Sequence, residues 1–434
     1  MDQTIIGIVL AVGMFGFLAS GIWVALSLLG VGFIALAAFT PAPAGSLLAS
    51  TVWDSSWSWA LTALPLFIWM GEILFRTRLS EDMFKGLAPW LAWLPGRLLH
   101  VNIVGCGVMA AVAGSSAVTC ATVGRMSIPE LRKRGYDERM AIGTLAGSGT
   151  LGLLIPPSIM LIVYGIVAQQ SISRLFIAGI LPGLLLISLF MGFVIVWSIL
   201  RPDRTPPNDM RMSFGEKVWA SRRLIPVVCL IVAIIGSIYG GFATPTEAAT
   251  VGVLGALTLA AVTRTLNWES FSASVLGAVR TSCMITFILA GAAFLSMAMG
   301  FTGLPRALAN WVDTLALSPT MLLVALTLVY IVLGCFLDGV SMIVLTSSIV
   351  LPMIIQAGID PLWFGIYVVI VVEMAQITPP VGFNLFVLQG MTGRDILQVT
   401  AASMPFFFLM ILGIAIITAF PQIVTFLPGV MVGN

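Results

Sequence analysis

Gly114-Ser115-Ser116-Ala117 and Leu337-Asp338-Gly339-Val340 are two small, polar breaks inside long apolar sequence. A double proline follows each at a similar distance: Ile155-Pro156-Pro157-Ser158 after the first, Thr378-Pro379-Pro380-Val381 after the second. Adding 223 to positions in the first segment brings the second into register. Pro129 then meets Pro352, Gly135 meets Gly358 and Asp137 meets Asp360. Pro156-Pro157 meets Pro379-Pro380, and Pro182 meets Pro405. Chance matches between apolar sequences are mostly Leu and Val. Matches of helix breakers at one ungapped offset mark an internal duplication.

Working outward, composition sets the class. Of 434 residues, 59% are hydrophobic and 9% charged, against about 25% charged in a soluble domain. The apolar runs are long and many, which predicts an all-α polytopic protein in a lipid bilayer. They do not alternate with period two, which excludes a β-barrel. The net charge is +2 and no basic stripe with interleaved aromatics exists, so no nucleic-acid partner is expected. The five cysteines are scattered in apolar context, with neither a disulfide framework nor metal-ligand spacing. The N-terminus is acidic and the first apolar run lacks a cleavage site, so no cleavable signal peptide is expected.

The apolar pattern predicts two opening helices within 4–39, turning at Ser20-Gly21, then a tryptophan-bearing loop over 41–59. A third span covers about 60–75, and 76–99 reads as an amphipathic interfacial helix. Residues 101–123 are broken at the serines. Arms of roughly twelve residues are too short to cross about 30 Å of hydrocarbon, so a re-entrant helical hairpin is predicted. Residues 140–168 form a discontinuous span, 175–200 span again, and 201–223 are a polar cytoplasmic loop. The second half restarts with spans at 224–243 and 247–263, and Gly240-Gly241 stands where Ser20-Gly21 stood. A span at 278–300, a short amphipathic piece (Leu304–Asp313), a second hairpin at 320–351, a second broken span at 362–390 and a last span at 398–427 complete it. The domain plan is therefore scaffold helices at 1–59, a first repeat at 60–200, the loop, scaffold helices at 224–277 and a second repeat at 278–434.

Charge orients this plan. With about ten spans and an external N-terminus, all but Arg174 and Arg306 of the 20 basic residues fall in inside loops. The positive-inside rule then puts both termini outside and inverts one repeat against the other. Inverted repeats with broken helices are the architecture of secondary transporters, whose site lies at the midplane.

Hairpin tips and helix breaks leave backbone groups unpaired, which is tolerated at depth where they line a cavity or bind a ligand. Freed carbonyls and hydroxyls are hard ligands suited to sodium, while helix N-termini favour carboxylates. The sodium candidates are Ser115, Ser116, Thr150, Gly152, Asp338, Gly339 and Thr378. The candidates for an organic anion are Ser116, Pro157, Ser158, Pro380, Gly382 and Asn384. Asp338 is costly inside a membrane, about 2.5–3.5 kcal/mol on insertion scales. A cation ligand is the most direct compensation, and a proton site competes with it. Glu373 fits a gate or a helix contact equally. His100 reads as a satisfied interfacial side chain.

Gly114–Ala117, Ile128-Pro129-Glu130 and Arg134-Gly135-Tyr136 resemble the large membrane subunit of TRAP (tripartite ATP-independent periplasmic) transporters. So do the run Gly149–Ser158, the run Leu175–Gly183, Leu337-Asp338-Gly339, Gly358–Pro361 and Thr378–Gly382. The resemblance covers nearly the whole chain. One departure is that the family commonly has Asn and Gly shortly before its Thr-Pro-Pro, where this chain has Val371 and Ala375. The resemblance implies sodium-driven import of organic anions handed over by a periplasmic binding protein. It further implies a small four-helix membrane subunit alongside, an elevator motion of the hairpin domain, and a bacterial inner-membrane location. No cofactor beyond coupling sodium ions is expected.

A stand-alone sodium- or proton-coupled dicarboxylate carrier with the same inverted plan is the alternative. An intramembrane hydrolase needs a nucleophile with a base, and Ser115 has no histidine partner deep in a span. A nucleotide-driven pump lacks its Walker motif. The expectation is thus a transporter and not an enzyme.

Overall fold

The computed structural model describes residues 3–77, 79–206, 212–314, 317–334, 337–379 and 382–431. The chain opens with α1 (Gln3–Ala19) and α2 (Val24–Phe39), parted at Ser20-Gly21, where Gly21 takes a φ of 79°. Next come α3 (Ala44–Ser56) and α4 (Trp59–Phe75), bent against each other by 59°. The amphipathic α5 (Leu79–Leu91) precedes the first hairpin, α6 (Leu99–Ala113) and α7 (Ser116–Lys133). The first broken segment is α8 (Glu138–Gly149), a 3-10 turn over Thr150–Leu153, and α9 (Ile159–Val167). Then α10 (Ile172–Leu200) closes the first half.

A loop helix α11 (Phe214–Ser221) leads to α12 (Ile225–Tyr239), α13 (Pro245–Val262), α14 (Trp268–Thr302) and α15 (Leu304–Thr314). The second hairpin is α16 (Pro319–Leu333) and α17 (Gly339–Gln356). The second broken segment is α18 (Pro361–Ala375) and α19 (Phe383–Thr392), and the chain ends in α20 (Ile396–Ala419) and α21 (Gln422–Met431).

The duplication runs through the whole chain. Shifted by 223, α7 falls on α17 residue for residue, and α8 starts where α18 starts. The bent pair α3–α4 falls on the single long helix α14. The matched breakers have matched jobs. Gly135 and Gly358 have φ of 77° and 74° just beyond α7 and α17, the left-handed stop that glycine adopts without a Cβ clash. Asp137 accepts from Met140 N and Asp360 from Leu362 N, each capping the next helix.

The two copies interlock. Helix α2 packs along α14, and its counterpart α13 packs along α4. In the same way α8 lies on α20 and α18 on α10, while α7 meets α19 and α17 meets α9. Phe190 and Phe193 of α10 close edge-on against Phe406 of α20, with centroids 5.4 and 5.5 Å apart. Large apolar side chains such as Val12, Phe15, Val232, Leu254 and Phe408 face outward instead, as a lipid-facing surface requires.

Several expectations change. Residues 41–59 are not a loop, because α3 occupies most of them; Trp53, Trp57 and Trp59 nonetheless stay exposed. The 201–223 loop contains α11, started by a Ser213–Glu216 capping box. The last span is two helices, parted at Phe420-Pro421. Both hairpins and the second broken segment run past the predicted limits, to 99–133, 319–356 and 361–392, and the first broken segment starts two residues early, at 138–167. Hydropathy marks only the apolar part of a helix, and these arms continue into polar turns. His100 is buried in the first turn of α6, its Nε2 lies 2.6 Å from the Pro95 carbonyl oxygen, and its Nδ1 has no partner among the described residues, so the side chain is only half satisfied.

Among the described residues, five helices are long and apolar enough to cross a membrane alone, and two bent pairs pass jointly. The shorter unbroken members of the ten-span plan, α1, α2, α4 and α12, have 15 to 17 residues. At 1.5 Å per residue they rise about 22–25 Å, under a hydrocarbon core of about 30 Å.

Candidate functional site

Four helices begin at the middle of the molecule, two at hairpin tips and two at helix breaks. At the first tip, α6 stops at Gly114, whose φ of 59° turns the chain, and extended Ser115 leads into α7 without a side-chain cap. At the second, Asp338 leads into α17 and its carboxylate accepts from Val340 N at 3.1 Å, Ser341 N at 3.3 Å and Ser341 Oγ. At the breaks, Ser158 starts α9 and Gly382 starts α19.

Small residues let these starts touch. A Cβ on Gly152 would lie 2.7 Å from the Ser115 carbonyl oxygen, so the 3-10 turn sits directly on the first tip. A Cβ on Gly114 would lie 3.2 Å from the Pro157 carbonyl oxygen. At the second tip, a Cβ on Gly339 would meet Gln376 Nε2 and Met160 Cε, both at 2.6 Å. Gly382 is held against the Gln376 and Thr378 carbonyls in the same way. The result is four helix N-termini gathered around the two breaks, each carrying partial positive charge that favours an anion.

The predicted residues divide by what their polar atoms do. Ser115 is partly open, with its carbonyl against Gly152. Ser116 is buried and its Oγ donates to Gln376 Oε1 at 3.1 Å, joining the first tip to the second break. Thr150 Oγ1 donates to Gly147 O at 2.6 Å and Thr378 Oγ1 to Ala375 O at 2.7 Å, so both hydroxyls are held by their own helices. Ser158 is fully buried, donates to Leu153 O and accepts from Leu161 N at 3.2 Å. Asn384 is fully buried, with neither amide atom partnered among the described residues. Pro380 lies outside the described residues.

Asp338 is exposed, and its carboxylate caps the start of α17. The residues that sequence reasoning underweighted are Gln376 and Glu373. Gln376 touches both tips. Glu373 is 1% exposed; among the described residues neither carboxylate oxygen is in good hydrogen-bond geometry with a partner, and Ser116 is the side chain that approaches it. The one signal in the sequence was their polarity in an otherwise apolar run before Thr378-Pro379-Pro380.

On the cytoplasmic side of the charge-derived topology, a cavity of about 520 Å³ opens between α7 and α19, lined by Arg125, Arg132, Lys133, Gly124 and Met391. Beside it Glu138 pairs with both Arg132 and Arg394, tying the halves together. Those guanidiniums, Arg394 foremost, hold the Glu138 carboxyl below the usual carboxylate range.

Comparison with known proteins follows the same lines. A family model described as "Tripartite ATP-independent periplasmic transporter, DctM component" matches residues 11–423. The chain is 32% identical over 399 residues to the C4-dicarboxylate TRAP transporter large permease protein DctM of Pseudomonas aeruginosa, covering 92% of each. It is 31% identical over 369 residues to the ectoine TRAP transporter large permease protein TeaC of Halomonas elongata, covering 85% of this chain and 86% of that one. The isethionate TRAP transporter permease protein DctMQ of Oleidesulfovibrio alaskensis is 32% identical, over 95% of this chain and 65% of its own. Among solved structures, the YdaH transporter of Alcanivorax borkumensis superposes with a TM-score of 0.65 over 95% of this chain and 98% of that one. At 14% identity it speaks for the fold alone.

Proposed function

This chain belongs to the DctM-component family of tripartite ATP-independent periplasmic transporters, and from that premise we propose that it imports small organic anions by sodium-coupled secondary transport. It is the large permease subunit, set in a bacterial inner membrane with both termini periplasmic. A periplasmic binding protein delivers the anion, and a small four-helix membrane subunit accompanies the permease; one relative carries both membrane parts in a single name, DctMQ. Relatives named for C4-dicarboxylate, ectoine and isethionate support a small, polar, anion-bearing substrate.

The observation that carries the proposal is the gathering of four helix N-termini around Gln376 and the Gly152–Ser115 contact. Such a centre offers partial positive charge to a carboxylate and backbone or hydroxyl oxygens to sodium. Ser115, Ser116, Thr150, Gly152, Asp338, Gly339 and Thr378 form the proposed sodium set. Ser116, Pro157, Ser158, Pro380, Gly382 and Asn384 form the proposed anion set. Within those sets, the self-bonded hydroxyls of Thr150, Thr378 and Ser158 contribute through the backbone they shape, Asn384 through its amide, and Ser116 through the acceptor capacity left on the hydroxyl that donates to Gln376. The tip-bearing segments move as one elevator body against α1–α4 and α12–α14.

The test is uptake into proteoliposomes containing both membrane subunits. Uptake of a C4-dicarboxylate that requires both an inward sodium gradient and the binding protein is the expected result. Uptake that needs sodium but no binding protein points to a stand-alone carrier instead. Uptake driven equally by a proton gradient rejects sodium coupling.

A further inference from the structure

Two neighbouring cavities at the cytoplasmic face gather five cations around a single carboxylate, among the described residues that line them. The cavity of about 520 Å³ between α7 and α19 holds Arg125, Arg132 and Lys133. The other, of about 370 Å³, holds Arg139, Arg394 and Glu138. Glu138 is already divided between Arg132 and Arg394. Arg125 has a different neighbour: its guanidinium lies 5.2 Å from the centre of the Phe75 ring, at the end of α4. A ring face holds a cation in place without cancelling its charge. Arg139 donates to the Ala401 carbonyl at 3.1 Å. Lys133 is exposed at the rim and makes no ion pair among the described residues.

Cations in the last turn of a cytoplasmic helix end also serve the helix dipole and membrane orientation. That role covers Arg132 and Lys133, which stand in the last turn of α7. It does not cover Arg125, two turns earlier, nor the concavity itself. Beside the cavity, α7 and α19 come into contact, since a Cβ on Gly124 would lie 2.7 Å from Met391 Cε.

The lining specifies the ligand. Like charges held around one concavity focus the field and draw an anion of more than one charge. Guanidinium and ammonium groups together suit phosphate oxygens. Ile128, Pro129 and Met391 give the same cavity an apolar side. Its volume is far larger than a lone phosphate ion needs and lies within the range of small-molecule sites, about 300–1,000 Å³. A phosphate group carrying an organic part meets both demands.

We propose that the cavity between α7 and α19 is a phosphate-ester site on the cytoplasmic face, held by Arg125, Arg132 and Lys133 and separate from the midplane centre. A phospholipid headgroup and a soluble phosphate ester of the cytosol present the same chemistry to it. An occupant set between α7 and Met391 of α19 braces the two halves of the chain against each other, so binding stabilises the fold.

The test uses the purified complex in neutral detergent, stripped of lipid. It is titrated with glycerol 3-phosphate and, separately, with phosphatidylglycerol in mixed micelles, against sodium chloride at matched ionic strength. A saturable rise in unfolding temperature above the chloride reference is the expected result. Saturation by glycerol 3-phosphate assigns the site to a soluble ester, and a rise with phosphatidylglycerol alone assigns it to a headgroup. R125Q/K133Q should raise the half-saturating concentration about five- to tenfold, the sum of two partly screened charge contacts. K217Q/R264Q removes two basic residues of inside loops that do not line the cavity, and should leave it unchanged. Where R125Q/K133Q does not fold, K133Q alone is read, with a rise of about two- to threefold expected. Absence of a saturable rise with both probes overturns the site. Equal weakening in R125Q/K133Q and K217Q/R264Q also overturns it, because the effect then belongs to overall charge. Neither uptake nor sodium enters these measurements, so their failure leaves the transport reading standing.

Discussion

Ser116 and Gln376 stand 260 positions apart and meet across the two halves of the chain, Oγ donating to Oε1 at 3.1 Å. Ser116→Ala leaves a buried amide oxygen without its donor, at a cost of about 1–3 kcal/mol. Adding Gln376→Leu removes the stranded group as well, so the double variant should be less destabilised than the two single losses combined. A double-mutant cycle on thermal unfolding measures this. Additive losses reject a direct contact.

Gly152→Ala places a methyl 2.7 Å from the Ser115 carbonyl oxygen, where backbone on both sides resists displacement. A loss of about 1–3 kcal/mol from overpacking is expected, together with most transport. Gly192→Ala is the control. It lies within α10 with nothing within 4 Å of the new methyl, and alanine there should gain up to about 1 kcal/mol of helix preference. Equal thermal shifts in the two variants defeat the close-approach account.

Much of this fold was legible because the duplication preserves residues whose role is local. Gly135 and Gly358 end helices, Asp137 and Asp360 start them, and a turn or cap needs no partner from elsewhere. The tips and breaks were legible for the same reason. Helix α3 was not, because its short run of Ser, Thr and exposed Trp carries little apolar period, and the bend to α4 divides what α14 shows as one rod. The burial of Glu373 and the capping contacts of Asp338 were hidden for a further reason. Burial of Glu373 is created by packing from the other half, and satisfaction of Asp338 depends on which way its side chain turns at the tip.

Asp338→Asn retains an oxygen that can cap α17, whereas Asp338→Ala retains none. Capping losses run about 0.5–2 kcal/mol, so the alanine variant should unfold at lower temperature than the asparagine variant, which should stay near wild type. Thermal unfolding of the purified variants ranks them. An alanine variant as stable as asparagine would show that the three donor contacts do not hold this tip.

The orientation inferred from charge predicts that cysteines placed at 132–134 label only from the cytoplasm. A cysteine at Gly358 should label only from the periplasm. The background is set by replacing the exposed Cys229 and Cys283 first. Impermeant maleimide applied to intact cells and to inverted vesicles reads both sites. Labelling of both from one side contradicts the inversion of the repeats.

Glu138 joins Arg132 on α7 to Arg394 beyond α19, its carboxylate shared by both guanidiniums. Its pKa is lowered from 4.5 in the folded protein, chiefly by the hydrogen bond from Arg394. A carboxylate with a depressed folded pKa stabilises the fold above its unfolded value and loses that contribution as pH falls through the folded value. Glu138→Gln should therefore be less stable than wild type at pH 7, and the gap should start to close below about 4.5 and vanish at lower pH. The pair side chains are partly open, 26% for Glu138 and 49% for Arg394, so after solvent screening the gap at pH 7 should be below about 1 kcal/mol and shrink in high salt. Unfolding temperatures of both proteins at a series of pH values check the sign. A gap that widens as pH falls would show that Glu138 is held neutral, and the two arginines would then not be its partners.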